Sequence, residues 1–192
     1  MKYKTIVIDP PWKLKIMGRH VRPNQKKMPY KMMDLKEIKE FPINDFAADN
    51  CSIYLWTTNK YLKDTFDVLE SWGFKFHCVL VWKKSTGITP YSFQFVNEYV
   101  LFGYRGEFKI NKKGIPTTFE ENIKEHSRKP EILYRIAEQV SDEPRIDIFA
   151  RQRREGWDAW GDEVPNETQK QISFTKQNQK NSKETNEKLT HN

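Results

Sequence analysis

The stretch Thr5-Ile6-Val7-Ile8-Asp9-Pro10-Pro11-Trp12 constrains this chain more than any other. Thr5 to Ile8 is a run of β-branched residues without alternation, the pattern of a short strand buried on both faces. Pro10 and Pro11 have no N–H to give a sheet ladder, so the strand must stop at Asp9. Asp9 therefore falls at the carboxyl end of a strand, in the crevice where open α/β sheets bind ligands. The two prolines fix the backbone and leave rigid carbonyls. A carboxylate beside a carbonyl can accept both hydrogens of a planar amino group. Trp12 adds a flat face on which a base can stack. On the local pattern alone, an ordinary Asp-Pro-Pro loop after a strand fits equally well.

The rest of the chain alternates between strand and helix patterns. Lys13 to Lys31 follows with Lys13, Lys15, Arg19, Arg22, Lys26, Lys27 and Lys31, and no acid. Gly18, Pro23 and Pro29 exclude a continuous helix, so this is a long basic loop beside Asp9, suited to gripping phosphates. A solvated basic loop is the alternative. Asp34 caps a short helix, Leu35 to Glu40, stopped by Pro42. Ser52 to Trp56 reads as a strand and Lys60 to Trp72 as a helix, with Leu62, Phe66, Leu69 and Trp72 at helical spacing. Phe74 to Trp82 and Tyr99 to Phe102 read as strands, and Glu107 to Ile110 as a further hairpin partner. Ser85 to Val96 reads as a loop. Trp56 and Trp82 both fall at strand ends, where they could hold a base; a core position is the usual place for such rings. Pro130 opens a helix to Val140, and Arg145 to Phe149 is the last strand. Such an order predicts an α/β domain with a mostly parallel sheet.

Composition limits the function classes. The chain has 192 residues and a formal net charge of +7, which favours an anionic partner, most simply nucleic acid. No signal peptide and no membrane-spanning run is apparent, so a cytoplasmic protein is expected. Cys51 and Cys78 lack metal-ligand spacing and read as buried free thiols. His20, His77, His126 and His191 are scattered, so no metal site is expected. No Gly-x-Gly-x-x-Gly is present, which argues against a nicotinamide dehydrogenase. From Pro165 to Asn192, Gln, Asn, Lys, Thr, Ser and Glu dominate, the composition of a disordered tail. The expected division is one folded α/β domain over 1–164 and a polar, disordered tail over 165–192.

Asp-Pro-Pro-Trp after a hydrophobic strand resembles the catalytic motif of amino-methyltransferases. Together with Ser127-x-Lys129-Pro130 and the stretch Asp147 to Glu163, it resembles the seventy-kilodalton MT-A family of N6-adenine methyltransferases, from about Tyr3 to Glu163. The resemblance implies a Rossmann-like methyltransferase fold with permuted motif order, the catalytic motif preceding the cofactor-binding strand. It implies S-adenosylmethionine as cofactor and Asp9, Pro10, Pro11 and Trp12 as catalytic residues. Ile8, Asp9, Lys129, Asp147, Arg151, Asp162 and Glu163 are the cofactor-binding candidates, with Lys129 pairing with the cofactor carboxylate. Tyr30, Trp56, Trp82, Lys83, Glu98, Lys26 and Lys27 are the substrate-binding candidates. In the family the pair at Asp162-Glu163 bears amides, and between Arg151 and Trp157 this chain is shorter. Three readings stay open at this point: DNA adenine methylation, the same reaction on RNA, and an inactive nucleic-acid-binding partner subunit. Intact Asp9 favours the enzymes.

Removing Pro165 to Asn192 is expected to leave the melting temperature and cofactor affinity nearly unchanged, because that segment lacks core-forming residues. Differential scanning fluorimetry and calorimetry on the truncated chain check this.

Overall fold

The computed structural model describes residues 1–13, 32–88, 93–122 and 128–161, with the side chains of 86–88 left aside. Most of the basic loop, Lys26, Lys27, Tyr30, Ser127, Asp162, Glu163 and the polar tail lie outside these residues.

Strand β1, Tyr3–Ile8, pairs in parallel on both edges, with β2, Ala47–Thr57, and with β6, Arg145–Ile148. Strand β3, Lys75–Ile88, and β4, Phe95–Arg105, pair antiparallel with each other, and β4 also pairs antiparallel with β2. Two three-residue strands close the edges: β5, Thr118–Glu120, against β3, and β7, Asp158–Trp160, against β6. The sheet order is β5-β3-β4-β2-β1-β6-β7. Only β4 runs against the rest, so the sheet is mostly parallel, as expected.

Period two decides which face each residue supplies. Ile6, Ile8, Ile53, Leu55, Leu101, Ile146 and Ile148 belong to one core. It is covered by α1, Leu35–Lys39, and by α2, Leu62–Ser71, through Ile38, Val68, Leu69 and Trp72. Val7, Tyr54, Trp56, Leu80, Trp82, Val100 and Phe102 form the other core, under α3, Glu131–Val140. Leu133, Ile136, Ala137 and Val140 are its buried stripe. Asp34 caps α1 as read, and Glu37 closes a reciprocal capping box with it.

Several boundaries differ from the sequence reading. Strand β3 continues six residues past Trp82, so that ring sits inside the strand and not at its end. Glu107 to Ile110 forms no strand. Gly106, at φ 70°, turns the chain away, and Asn50 Oδ1 accepts the Glu107 N–H at 3.0 Å. A side chain at Gly106 would collide with Asn50. The edge position beside β3 goes to Thr118–Glu120 instead. Cys51 is buried and Cys78 half-buried, both as free thiols. No helix among the described residues is long and apolar enough to cross a membrane.

Leu133 is fully buried in the first turn of the α3 stripe, whereas Ile132 is half-buried. Leu133→Ala is expected to destabilise the domain by about 2–5 kcal/mol and Ile132→Ala by clearly less. Chemical denaturation of both variants checks the order.

Candidate active site

The strand stops where the prolines require, and the loop after it is tied on every side. The Asp9 N–H donates to the Ile148 carbonyl at 3.3 Å, extending the β1–β6 ladder by one rung. The Trp12 N–H donates to the Pro10 carbonyl at 2.8 Å, and the Met33 N–H to the Pro11 carbonyl at 2.8 Å. The Trp12 indole N–H donates to the Trp56 carbonyl at 3.1 Å, and the ring stacks on Tyr61 with centroids 5.0 Å apart. A carbonyl has two lone pairs, so Pro10 keeps one after accepting from Trp12.

Asp9 is the start of a line of alternating charges. Lys129 Nζ lies 3.3 Å from Asp9 Oδ1 and 2.8 Å from Glu98 Oε2. Lys84 Nζ lies 2.8 Å from the other Glu98 oxygen. Asp9, Glu98 and Lys129 are each about a fifth exposed in their side chains. Four elements supply this line: the end of β1, the outer part of β3, the beginning of β4, and the approach to α3. The Lys129 ammonium also stands 4.5 Å over the Trp56 ring.

Burial pushes the Asp9 carboxyl up; Lys129 pulls it back, the Glu98 charge adds to the rise, and Arg151 opposes it, with a net upward shift. Burial also works to raise Glu98, but Lys129 and Lys84 outweigh it and hold that carboxyl below its ordinary range. Burial alone would lower Lys129; its two carboxylate partners raise it instead. Lys129 is the charge that lets two half-buried carboxylates share one crevice.

Other sequence candidates are placed as follows. Ile8 is fully buried at the end of β1. Arg151 follows β6 and acts electrostatically on Asp9. Asp147 is buried inside β6, where its Oδ2 accepts from Tyr134 at 2.9 Å and from Arg154 at 2.7 Å. Trp56 and Trp82 meet edge to face, 6.0 Å apart, as buried rings. The reading of these two as open stacking faces is corrected: Trp56 lies beneath the Lys129 ammonium and Trp82 beneath that of Lys84. Lys83 pairs with Glu120 at 2.7 Å across β3 and β5, and it is Lys84 that reaches Glu98. Alternation from Trp82 would have indicated this, had the strand been read long enough. Glu121 was not singled out in the sequence. Its carboxylate accepts the backbone N–H groups of Glu131 and Ile132, both at 2.9 Å, and so caps α3 just after Lys129.

After β6 the backbone turns sharply. Phe149 has φ 62°, a left-handed conformation uncommon outside glycine. Gly161 closes the turn: a side chain there would meet the Ala150 carbonyl at 2.7 Å. Two buried polar atoms at the end of β2, Trp56 Nε1 and Thr58 Oγ1, have no hydrogen-bond partner among the described residues. Orphaned polar groups at a strand-end crevice, beside a cation with three N–H donors, fit a polar ligand bearing a carboxylate.

The MT-A70 family model matches residues 3–163. This chain belongs to the MT-A70 family. Among curated proteins it is 27% identical over 183 residues to the type II methyltransferase M.MunI of a Mycoplasma species, covering 85% of this chain and 78% of that one. It is 26% identical over 186 residues to the human N(6)-adenine-specific methyltransferase METTL4, covering 84% of this chain and 37% of that one. It is 22% identical over 160 residues to the human N(6)-adenosine-methyltransferase catalytic subunit METTL3, covering 78% and 26%. The chain thus spans most of the bacterial relative and well under half of the two human ones. The fold class that the resemblance implied, α/β with a mostly parallel sheet, is the one observed.

The lowered Glu98 carboxyl makes a prediction with a definite sign. A carboxyl held low in the folded state adds stability above its ordinary range, and this is lost as pH falls through the folded value. Glu98→Gln is therefore expected to melt below the wild type at pH 7, by roughly 1.5–3 kcal/mol for a hydrogen bond to a charged group. The gap should close on acidification, as Glu98 itself becomes neutral. Melting curves from neutral to acidic pH read it directly.

Proposed function

We propose that this chain transfers the methyl group of S-adenosylmethionine to N6 of adenine in DNA. The observation that carries the reading is the Asp9 carboxylate, fixed at the end of β1 and paired with Lys129, in a chain of the MT-A70 family. As a member of that family it is an adenine-N6 methyltransferase. The relatives' names support the reaction; M.MunI, a type II methyltransferase matched over most of its length, supports DNA over RNA.

The chemical difficulty lies in the amine. The N6 lone pair is delocalised into the ring and is a weak nucleophile. Asp9 and the Pro10 carbonyl accept its two N–H bonds, which favours a pyramidal nitrogen with a freed lone pair. Proline rigidity holds these two acceptors in place without reorganisation, so positioning and electrostatics supply the rate. S-adenosylmethionine, when bound, supplies the electrophilic methyl group. Lys129 holds its carboxylate, using a donor beyond the two given to Asp9 and Glu98, and Arg151 borders the same crevice. The proton lost from the amine leaves toward Asp9, whose burial raises its proton affinity.

In duplex DNA the base must first leave the stack, which costs a few kcal/mol. Lys26, Lys27 and Tyr30 are proposed to help offset that on the substrate side; the Trp12 ring, buried and stacked on Tyr61, instead holds the motif loop in place. Asp162 and Glu163 are proposed to accept from the cofactor ribose.

Asp9→Ala is expected to abolish transfer while leaving the melting temperature near that of the wild type. Tritiated methyl transfer to DNA and RNA, single- and double-stranded, in one experiment tests both parts. A folded variant with normal transfer overturns the mechanism, and wild-type transfer to RNA in preference to DNA overturns the choice of substrate.

A further inference from the structure

The stretch between Arg151 and Trp157 takes no part in the chemistry above, yet it is bound tightly to α3. Arg154 has only a tenth of its side chain exposed. Its Nε and Nη2 donate to the two Glu131 oxygens at 2.9 and 3.1 Å. Its Nη1 donates to Asp147 Oδ2 at 2.7 Å. Its guanidinium carbon lies 3.5 Å from the centroid of Tyr134, whose hydroxyl donates to the same Asp147 oxygen. Gln152 donates to Glu131 at 2.6 Å, and the Trp157 indole to Glu138 at 2.8 Å. Glu131, Tyr134 and Glu138 are three and four residues apart, so they line one stripe of the helix. The segment is laced along that stripe.

Asp147 is the buried acid on the face of β6 toward α3, between Ile146 and Ile148, which face the opposite core. Burial pushes its carboxyl up to about 7, against the pull of Arg154 and the Tyr134 hydroxyl. Glu131 is two residues past Lys129 and in the first turn of the helix. A bidentate guanidinium on Glu131 therefore fixes the backbone from which Lys129 reaches Asp9. A lysine in that place would supply the charge without the planar fork.

We propose that Arg154 is a positioning residue: by clamping Glu131 of α3 to Asp147 of β6, it sets Lys129 between Asp9 and Glu98. Asp147 thus serves the site through Arg154 and not by contact with the cofactor. The cofactor part of this proposal rests on the function proposed above; the placement of Lys129 does not.

The test uses the full chain as Arg154→Met, Arg154→Lys and Glu131→Gln. The first measurement needs no ligand: acetylation of Lys129 by a small acylating reagent, read by mass spectrometry, with exposed Lys113 as internal control. Arg154→Met should speed Lys129 labelling about tenfold, the factor expected for about 1.4 kcal/mol of lost protection, and leave Lys113 unchanged. Arg154→Lys and Glu131→Gln should fall between it and the wild type. The second measurement is calorimetry with S-adenosylmethionine. Arg154→Met should weaken binding about tenfold while kcat at saturating cofactor stays within about threefold. In the Lys129→Ala background, Arg154→Met should add nothing further, because the two act in series. Unchanged Lys129 labelling in a folded Arg154 variant overturns the clamp, as do fully additive losses of affinity. If Arg154→Met shows no melting transition, Arg154→Lys and Glu131→Gln carry the same comparison. A wild type that binds no S-adenosylmethionine would sink the proposed function, and the labelling would still decide the clamp.

Discussion

Everything at the site depends on β1 being held from four directions. It is hydrogen-bonded along both edges, to β2 and β6, and packed on both faces, through Ile6 and Ile8 on one and Val7 on the other. A strand so placed has no freedom to shift, and the prolines set where it ends. Asp9 is therefore aimed by backbone and not by its own partners. Its carboxylate then creates a problem, because Glu98 is drawn into the same crevice. Lys129 resolves it by standing between the two carboxylates.

The strands and helices at the centre of the domain were legible because their patterns are long. The apolar runs within β2 and β4, and the helical stripes of α2 and α3, stand out against their polar neighbours. The edges were not. Strands β5 and β7 are three residues long, too short for any period to register, and they exist because a neighbouring strand offers an unpaired edge. The extension of β3 past Trp82 was hidden for a related reason. Lys83, Lys84 and Ser85 look like loop residues, but they lie on a strand whose outer part borders the site and solvent.

The site was legible where one residue suffices and illegible where two must meet. Asp9 follows from its own neighbours in the chain. The caps and clamps do not: Glu121 closes the start of α3, and Arg154 joins Asp147 to Glu131, which lies 23 residues before it. Such pairings have no local signature. A buried acid in a four-residue strand was nevertheless a warning, since an inward carboxylate demands a cation. Arg153 and Arg154 were both near enough to supply it, and geometry selected Arg154.

The reversed direction of β4 has a consequence for the charge balance of the site. Because β4 alone runs backwards, its first residues lie at the same end of the sheet as Asp9, whereas its last lead away toward Gly106. The same strand run the other way would carry Glu98 to the far end of the sheet and leave Lys129 with Asp9 alone. One antiparallel strand in a parallel sheet thus brings an acid from the start of one strand beside an acid from the end of another.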